Sequence, residues 1–267
     1  MRELITRALS GLVYVGAVVG LLYLDKPYSL ILFGLFGFLG YFEFRAMFRK
    51  KFKIYWTSLL SIIGLCAAYW YEDYTALVAG TLFFPAIFLA LSMEHIFTKG
   101  SEHSIQGLGT SLIITFYLAI PLSLAGTDSI FDSSLILSLF ILIWCNDTFA
   151  YLTGRLIGRT PMLKRLSPNK TIEGLLGGIL LTGVAAYFMF IYIDTPVNTW
   201  PKMAGLAIVT SIFSTLGDLF ESGLKRSAGV KDSGNILPGH GGILDRIDSF
   251  LFVVPAAAVY LFLVAQL

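Results

Sequence analysis

Residues 133–153 read SSLILSLFILIWCNDTFAYLT, a predominantly apolar segment that indicates the class of the fold. It is long enough to cross the hydrocarbon core of a bilayer, which takes about 20 helical residues. It also lacks the alternation of apolar and polar residues that is typical of a membrane barrel. In hydrocarbon the backbone polar groups have to bond within the segment, so we predict a transmembrane helix. Asp147 interrupts this run, and because an unpaired carboxylate is costly there, it is a first candidate functional residue. Asn146 and Thr148 beside it leave open the alternative of a hydrogen-bonded helix packing site.

The rest of the chain repeats this pattern. Mean hydropathy is +0.78 and only 13% of the residues are charged, against about a quarter in soluble domains. Apolar segments lie near 8–24, 28–48, 54–71, 74–93, 109–126, 133–153, 172–193, 203–221 and 249–267. We therefore predict an all-α, polytopic integral membrane protein with about nine transmembrane helices. Eight or ten spans remain open, because the third and fourth segments nearly touch.

Basic residues indicate the orientation in the membrane. All but two of the 19 lysines and arginines fall on one side of the predicted topology, and the exceptions are Lys26 and Lys202. The positive-inside rule then places the N-terminus in the cytoplasm and the C-terminus outside, in the cytoplasmic (inner) membrane. Residues 1–24 lack an A-x-A cleavage site, so we interpret them as a retained first helix.

Domain organisation and some partner classes also follow from composition. The sequence has neither a repeat of 20 to 50 residues nor a linker rich in proline and serine, which predicts one integral membrane domain over 1–267. We expect N-terminal helices in 1–130 and catalytic helices in 131–267. A net charge of +2 without an arginine-rich arm argues against a nucleic-acid partner. A homodimer is compatible with a small polytopic protein, but no motif indicates one.

Charged residues concentrate in residues 218–249, DLFESGLKRSAGVKDSGNILPGHGGILDRIDS. Asp245 and Asp248 are three residues apart, so a helix would place them on one face. Their repulsion is relieved by a cation, and hard oxygen ligands suit Mg²⁺. Asp218 ends a neighbouring span on the same side and could share that cation. The alternatives are an ordinary charged loop and a carboxylate pair satisfied by Arg246.

Two loops are candidates for phosphate binding. Residues 238–242, PGHGG, precede the predicted helix of Asp245, where glycines let backbone N–H groups approach anionic oxygens. A plain turn is the alternative, and an isolated His240 is more often a structural donor than a base. Lys170, in the loop before the 172–193 span, either binds a phosphate or anchors the helix at the interface.

Taken together, these residues resemble a family signature. The pattern is Ser222-x-Leu224-Lys225-Arg226-x4-Lys231-Asp232-x-Gly234-x2-Leu237-Pro238-x-His240-Gly241-Gly242-Ile243-x-Asp245-Arg246-Ile247-Asp248. It is similar at every position to the signature of the phosphatidate cytidylyltransferases, the CDP-diacylglycerol synthases. Residues 167–174, SPNKTIEG, resemble a second segment of that family, SPKKTxEG, and depart from it at Asn169.

The resemblance implies an activity and a set of roles. A phosphate oxygen of phosphatidic acid would attack the α-phosphorus of CTP, giving CDP-diacylglycerol and pyrophosphate with help from Mg²⁺. A second cation of unknown identity would suit such an in-line displacement. The implied catalytic residues are Asp218, Lys225, Asp245 and Asp248. The implied metal ligands are Asp218, Asp245, Asp248 and Asp147. The implied substrate-binding residues are Lys170, Ser222, Arg226, Lys231, Asp232, His240, Gly241, Gly242 and Arg246.

Two other functions remain open at this point. Carboxylates within the membrane and glycine-rich breaks also mark transporters and channels. The sequence carries no visible inverted repeat, however, and its acidic residues cluster at one surface. A CTP-dependent enzyme acting on another lipid, such as a polyprenol, is the second alternative. An alcohol acceptor would need a general base, and none is identifiable here.

Overall fold

The computed structural model describes residues 2–24, 28–49, 51, 54–68, 87, 89–95, 105–127, 130–193 and 195–265. Within these ranges the named helices are α1 (Arg2–Tyr23), α2 (Tyr28–Phe48), α3 (Trp56–Ala68), α4 (Ile105–Ala125), α5 (Ser133–Ile157), α6 (Ile172–Tyr192), α7 (Trp200–Ala228) and α8 (Leu244–Ala265). Two short strands, β1 (Pro161–Leu163) and β2 (Ser167–Thr171), lie between α5 and α6.

Seven of the described helices, all except α3, are long and apolar enough to cross a membrane. The prediction of an all-α, polytopic membrane protein is therefore confirmed. Most of the predicted span 74–93 and the end of the span 54–71 lie outside the described residues. The total of nine spans stays a prediction for that reason.

Two helices differ from the predicted spans in ways that affect the polar segment. Helix α7 continues well past the predicted end at 221 and carries Lys225 and Arg226 in its last turn. It ends before Gly229, whose φ of 79° is readily available only to glycine. Helix α8 begins at Leu244 rather than 249, so it includes both Asp245 and Asp248. The hydropathy window missed these extensions because polar residues form helix as readily as apolar ones.

The chain divides into two compact units. The first contains Met1–Phe131 and Ala228–Ile247, and the second contains Asp132–Ser227 and Asp248–Leu267. In the first unit α2 packs against α1, α3 and α4. Its core is aromatic and aliphatic, with Phe33, Tyr41 and Leu118 almost completely buried. Most of the signature turn thus belongs with the N-terminal helices, although the sequence places it in the C-terminal half.

In the second unit, α5 and α6 pack closely through small residues. A Cβ added at Gly174 would lie 2.8 Å from the carbonyl oxygen of Ala150, so only glycine permits this approach. The sequence predicts only a turn between these helices, whereas the structure forms the antiparallel pair β1 and β2 there. Thr171 then caps α6, since its hydroxyl accepts from the backbone N–H of Gly174 at 3.1 Å.

Candidate active site

Four carboxylates of the second unit form what we call the acidic cluster. It consists of Asp147 on α5, Asp218 and Glu221 on α7, and Asp248 on α8. Asp248 is only 8% exposed and lies within electrostatic range of the other three. Three of the predicted metal ligands, Asp147, Asp218 and Asp248, are therefore brought together by the fold. Glu221 joins them one helical turn from Asp218.

A close approach of α7 to α8 places Asp248 in this cluster. A Cβ added at Gly217 would lie 2.6 Å from the carbonyl oxygen of Asp248 and 3.0 Å from the Cα of Ser249. The hydroxyl of Ser249 also donates to the carbonyl oxygen of Ser214 on α7, at 3.1 Å. The absence of a side chain at 217 thus sets how near the two helices come.

Lysines and hydroxyls surround the acidic cluster. Lys170 pairs with Asp218 at 2.6 Å, and Lys225 pairs with Glu221 at 2.5 Å. The hydroxyl of Ser222 donates to Asp218 at 3.3 Å. Lys170, Ser222 and Lys225, all predicted from the sequence, therefore lie at the same cluster. At the α5 end, Asn146 donates to Ser214, whose hydroxyl donates to Asp147 at 3.4 Å.

The chemistry of the acidic cluster fits Mg²⁺. Carboxylate oxygens are the hard donors that Mg²⁺ prefers, and it is usually held by one or two of them together with waters and substrate phosphates. In the part of the chain that the structure describes, no three His, Cys, Asp or Glu side chains are already arranged around a metal position. The four carboxylates therefore supply donors of the right kind, but the described residues do not form a metal site as they stand. Metal binding by these residues stays a prediction.

Residues of the signature line a second site in the first unit, which we call the basic pocket. It has a volume of about 420 Å³ and presents three cations, Arg7, Lys231 and Arg246. The remaining lining residues are Asp232, Asn235, Leu237, Pro238, Gly239, His240 and Gly241. Five predicted substrate-binding residues, Lys231, Asp232, His240, Gly241 and Arg246, thus share one concave site. Arg226, on the last turn of α7, is exposed in the second unit.

A tight turn forms one wall of the basic pocket. Gly239 and Gly241 have φ values of 76° and 84°, which other residues rarely adopt. Leu237 donates to Gly241 and accepts from the N–H of His240, at 3.0 and 2.9 Å. The guanidinium of Arg246 donates to the carbonyl oxygen of His240 at 2.6 and 3.1 Å. The turn thereby holds Arg246 in place at the pocket.

The backbone N–H groups at the start of α8 already have anionic partners. Gly242 donates to Asp245 at 2.8 Å, while Ile243 and Leu244 each donate to Glu43 at 2.9 Å. The sequence predicts that these groups face a substrate phosphate, but in this structure they are bound to carboxylates. Substrate binding by Gly241 and Gly242 stays a prediction.

His240 is held from the N-terminal helix. The hydroxyl of Ser10 lies 2.6 Å from its Nδ1 and donates to the carbonyl oxygen of Pro238 at 2.9 Å. Partial burial, and then the positive charges of Arg246 and Arg7, lower the pKa of His240. The ring is therefore neutral at pH 7, when it can accept or donate a hydrogen bond but adds no positive charge to the pocket.

Sequence reasoning missed several residues of these two sites. Glu43 and Glu221 are carboxylates on apolar helices, so the rule that selected Asp147 would have selected them as well. Arg7 and Ser10 carry no local signal, because a basic residue at the start of a first helix is ordinarily a topology determinant. Asp245 belongs to the first unit and Asp218 to the second, so their sharing of one cation stays a prediction.

Comparison with known proteins agrees with the signature. A family described as "Cytidylyltransferase family" matches residues 5–264. The chain is 50% identical over 126 residues to a phosphatidate cytidylyltransferase of Staphylococcus haemolyticus (strain JCSC1435), which is 47% of this chain and 48% of that protein. It is 48% identical to a phosphatidate cytidylyltransferase of Staphylococcus aureus (strain COL) and 52% identical to one of Staphylococcus epidermidis (strain ATCC 12228). Both matches also cover 126 residues, 47% of this chain and 48% of the relative. The chain spans about half the length of the curated relatives it matches. Because the family match extends over nearly all of its residues, the chain belongs to the cytidylyltransferase family.

Proposed function

We propose that this protein is a CTP:phosphatidate cytidylyltransferase, which makes CDP-diacylglycerol and releases pyrophosphate. The observation that carries the proposal is the basic pocket, in which five predicted substrate-binding residues of the signature line a cavity of about 420 Å³. The names of the relatives, all phosphatidate cytidylyltransferases, support it.

The reaction needs little acid–base chemistry from the protein. A phosphate oxygen of phosphatidic acid forms a bond to the α-phosphorus of CTP, and the bond from that phosphorus to the bridging oxygen of the β-phosphate breaks. The nucleophile is already anionic, so no proton has to be removed from it. Catalysis then depends on bringing two polyanions together and on stabilising the departing pyrophosphate.

The basic pocket supplies cations for the first of these tasks. Arg7, Lys231 and Arg246 line it, and Arg246 is held by its bonds to the turn, so it loses little freedom when a phosphate binds. We propose that this pocket binds phosphate groups of CTP or phosphatidic acid. Neutral His240 and the exposed Asp232 would orient neighbouring donors rather than transfer protons.

The acidic cluster supplies oxygen ligands for the metal. We propose that Asp218 and Asp248, with Asp147, hold Mg²⁺, and that Asp245 contributes as the sequence predicts. Bound Mg²⁺ would neutralise charge on the phosphates of CTP and on the leaving pyrophosphate. Lys170 and Lys225 form ion pairs with Asp218 and Glu221 in this structure, and each can turn to a substrate phosphate when the ion is bound. A second cation is part of the same proposal.

The orientation in the membrane is also proposed. Phosphatidic acid stays in the bilayer with its acyl chains among the helices, and CTP arrives from the cytoplasm. This requires the N-terminus and the signature on the cytoplasmic side, as the distribution of lysine and arginine predicts. A cysteine-labelling experiment at an added N-terminal cysteine would test it, since labelling from the outside only would contradict the orientation.

The activity can be tested on purified protein in detergent. With CTP, phosphatidic acid and Mg²⁺ we expect CDP-diacylglycerol and pyrophosphate in equal amounts, and ATP in place of CTP should give neither. Removal of divalent cations by EDTA should stop turnover, and added MgCl₂ should restore it. No pyrophosphate release under any of several metal conditions would contradict the enzyme proposal.

The alternative functions are covered by the same assay. A transporter or channel would show no nucleotide-dependent product. An enzyme for another lipid would release pyrophosphate only when a polyprenol such as dolichol replaces phosphatidic acid.

A further inference from the structure

Glu43 is a buried carboxylate on the membrane helix α2. It lies outside the signature, and the signature does not indicate it. It is 4% exposed and lies in the first unit, about 200 positions along the chain from its partners. One oxygen accepts from the N–H of Ile243 at 2.9 Å, and the other accepts from the N–H of Leu244 at 2.9 Å. The hydroxyl of Ser233 also donates to it, at 3.2 Å.

These contacts satisfy two needs at once. The first N–H groups of a helix have no partner within the helix, and leaving them buried without an acceptor is costly. A buried carboxylate is equally costly unless it accepts several hydrogen bonds, and the helix dipole of α8 favours its charge at that end. Glu43 and the start of α8 therefore stabilise each other.

Two signature glycines make room for this side chain. A Cβ added at Gly234 would meet three atoms of Glu43, the nearest being Oε1 at 2.5 Å. A Cβ added at Gly242 would lie 2.5 Å from Oε2 and would also collide with the hydroxyl of Ser233. Glycine at these positions is thus explained by the close approach of Glu43, without reference to a phosphate.

The same contacts lead directly to Asp245. Ser233 bonds to Glu43 through its hydroxyl, while its backbone N–H donates to Asp245 at 3.1 Å. Gly242 also donates to that oxygen of Asp245, at 2.8 Å. Movement of Glu43 would displace Ser233 and Gly242, which both donate to the Asp245 carboxylate.

We infer that Glu43 is a positioning residue, which holds residues 233–244 so that the Asp245 carboxylate keeps one arrangement. It acts through these residues and does not touch substrate. The kinetic part of this inference rests on the proposed cytidylyltransferase activity, whereas the packing part does not.

The kinetic test compares Glu43→Gln with the wild type in detergent. Glutamine has the same size, but its amide group would confront a backbone N–H donor. We expect kcat to fall about 10- to 100-fold while KM for CTP and for phosphatidic acid changes less than about 3-fold, since displacements near 1 Å cost about that much in rate. If this variant is not recovered folded, Glu43→Asp, which is one methylene shorter, should show a smaller fall in kcat of the same kind.

Glu94→Gln is the matched control. Glu94 also accepts from the backbone at a helix start, and these bonds, to Trp56 and Thr57, lie at the start of α3 rather than in the signature. We expect a lower midpoint of thermal unfolding with unchanged kcat. If the wild type is active and folded Glu43→Gln retains wild-type kcat, or if Glu94→Gln loses as much, the inference is wrong.

The packing test needs no activity. Gly234→Ala should lower the midpoint of thermal unfolding in the wild type, because the new methyl group displaces Glu43. In a Glu43→Ala background the same substitution should cost much less, since the three nearest heavy atoms that it would meet all belong to Glu43. An equal cost in both backgrounds would overturn the inference. A wild-type protein that made no CDP-diacylglycerol would refute only the proposed activity. The dependence of the cost of Gly234→Ala on Glu43 would still test the packing role of Glu43.

Discussion

Gly217→Ala tests whether the separation of α7 and α8 controls the acidic cluster. The new Cβ would lie 2.6 Å from the carbonyl oxygen of Asp248, whereas ordinary contact begins at 3.4 Å. The helices would have to separate by roughly 0.8 Å, because both atoms belong to backbone or are fixed to it. Such overpacking costs about 1–3 kcal/mol, offset by about 1 kcal/mol from the better helix propensity of alanine. The free energy of unfolding should therefore fall by about 0–2 kcal/mol.

Turnover should fall as well, because the same displacement changes the acidic cluster. A displacement of this size moves Asp248 relative to Asp218, and we expect CDP-diacylglycerol formation to slow by about 10- to 100-fold. The assay measures the rate of product formation from CTP and phosphatidic acid. Thermal unfolding of each variant is measured in the same detergent. Gly183→Ala is the control, since a Cβ there meets nothing within 4 Å, and it should leave the rate unchanged. If both variants turned over at the wild-type rate, the acidic cluster would not depend on this helix contact.

Three further predictions concern single side chains. Asp218→Asn should abolish turnover while the folded protein is still recovered, because it removes a metal-binding oxygen and weakens the pair with Lys170; a near-normal rate would remove Asp218 from the proposed metal site. Lys225→Ala should raise KM for CTP or phosphatidic acid, since its ammonium group is lost beside Glu221; steady-state kinetics with both substrates would measure this, and unchanged constants would leave Lys225 only a topological role. The lowered pKa of His240 means that the unfolded chain binds its proton first, so the free energy of unfolding should fall as pH drops below about 6.5 and level off below the folded pKa. His240→Gln should remove that part of the pH dependence in chemical denaturation, and an unchanged profile would contradict the assignment.

Much of the candidate site could be predicted from sequence because its residues lie close together in the chain. The spacing of Asp245 and Asp248 predicts that one helix carries both, and α8 contains both. The cost of a carboxylate in an apolar helix indicates Asp147 and Asp218 as functional residues, and both lie in the acidic cluster with Asp248. The same rule, applied to α2, would have identified Glu43.

The partners of these residues could not be predicted in this way. The glycine turn suggested a phosphate site, whereas its neighbouring N–H groups are bound to Glu43 and Asp245. Nothing near Ser10 in the sequence indicates that it reaches His240. Nor does the segment 167–174 indicate that Lys170 pairs with Asp218.

Hydropathy and the signature are enough to predict the membrane class, most helix positions and the family, because hydropathy accumulates over neighbouring residues and the signature is one continuous segment. Which carboxylates meet, which lysines pair with them and which side chain holds the start of α8 become visible only in the folded chain. Those contacts join residues up to about 230 positions apart, as between Ser10 and His240. They depend on how helices pack, and packing is set by side-chain shape at long range rather than by any local pattern.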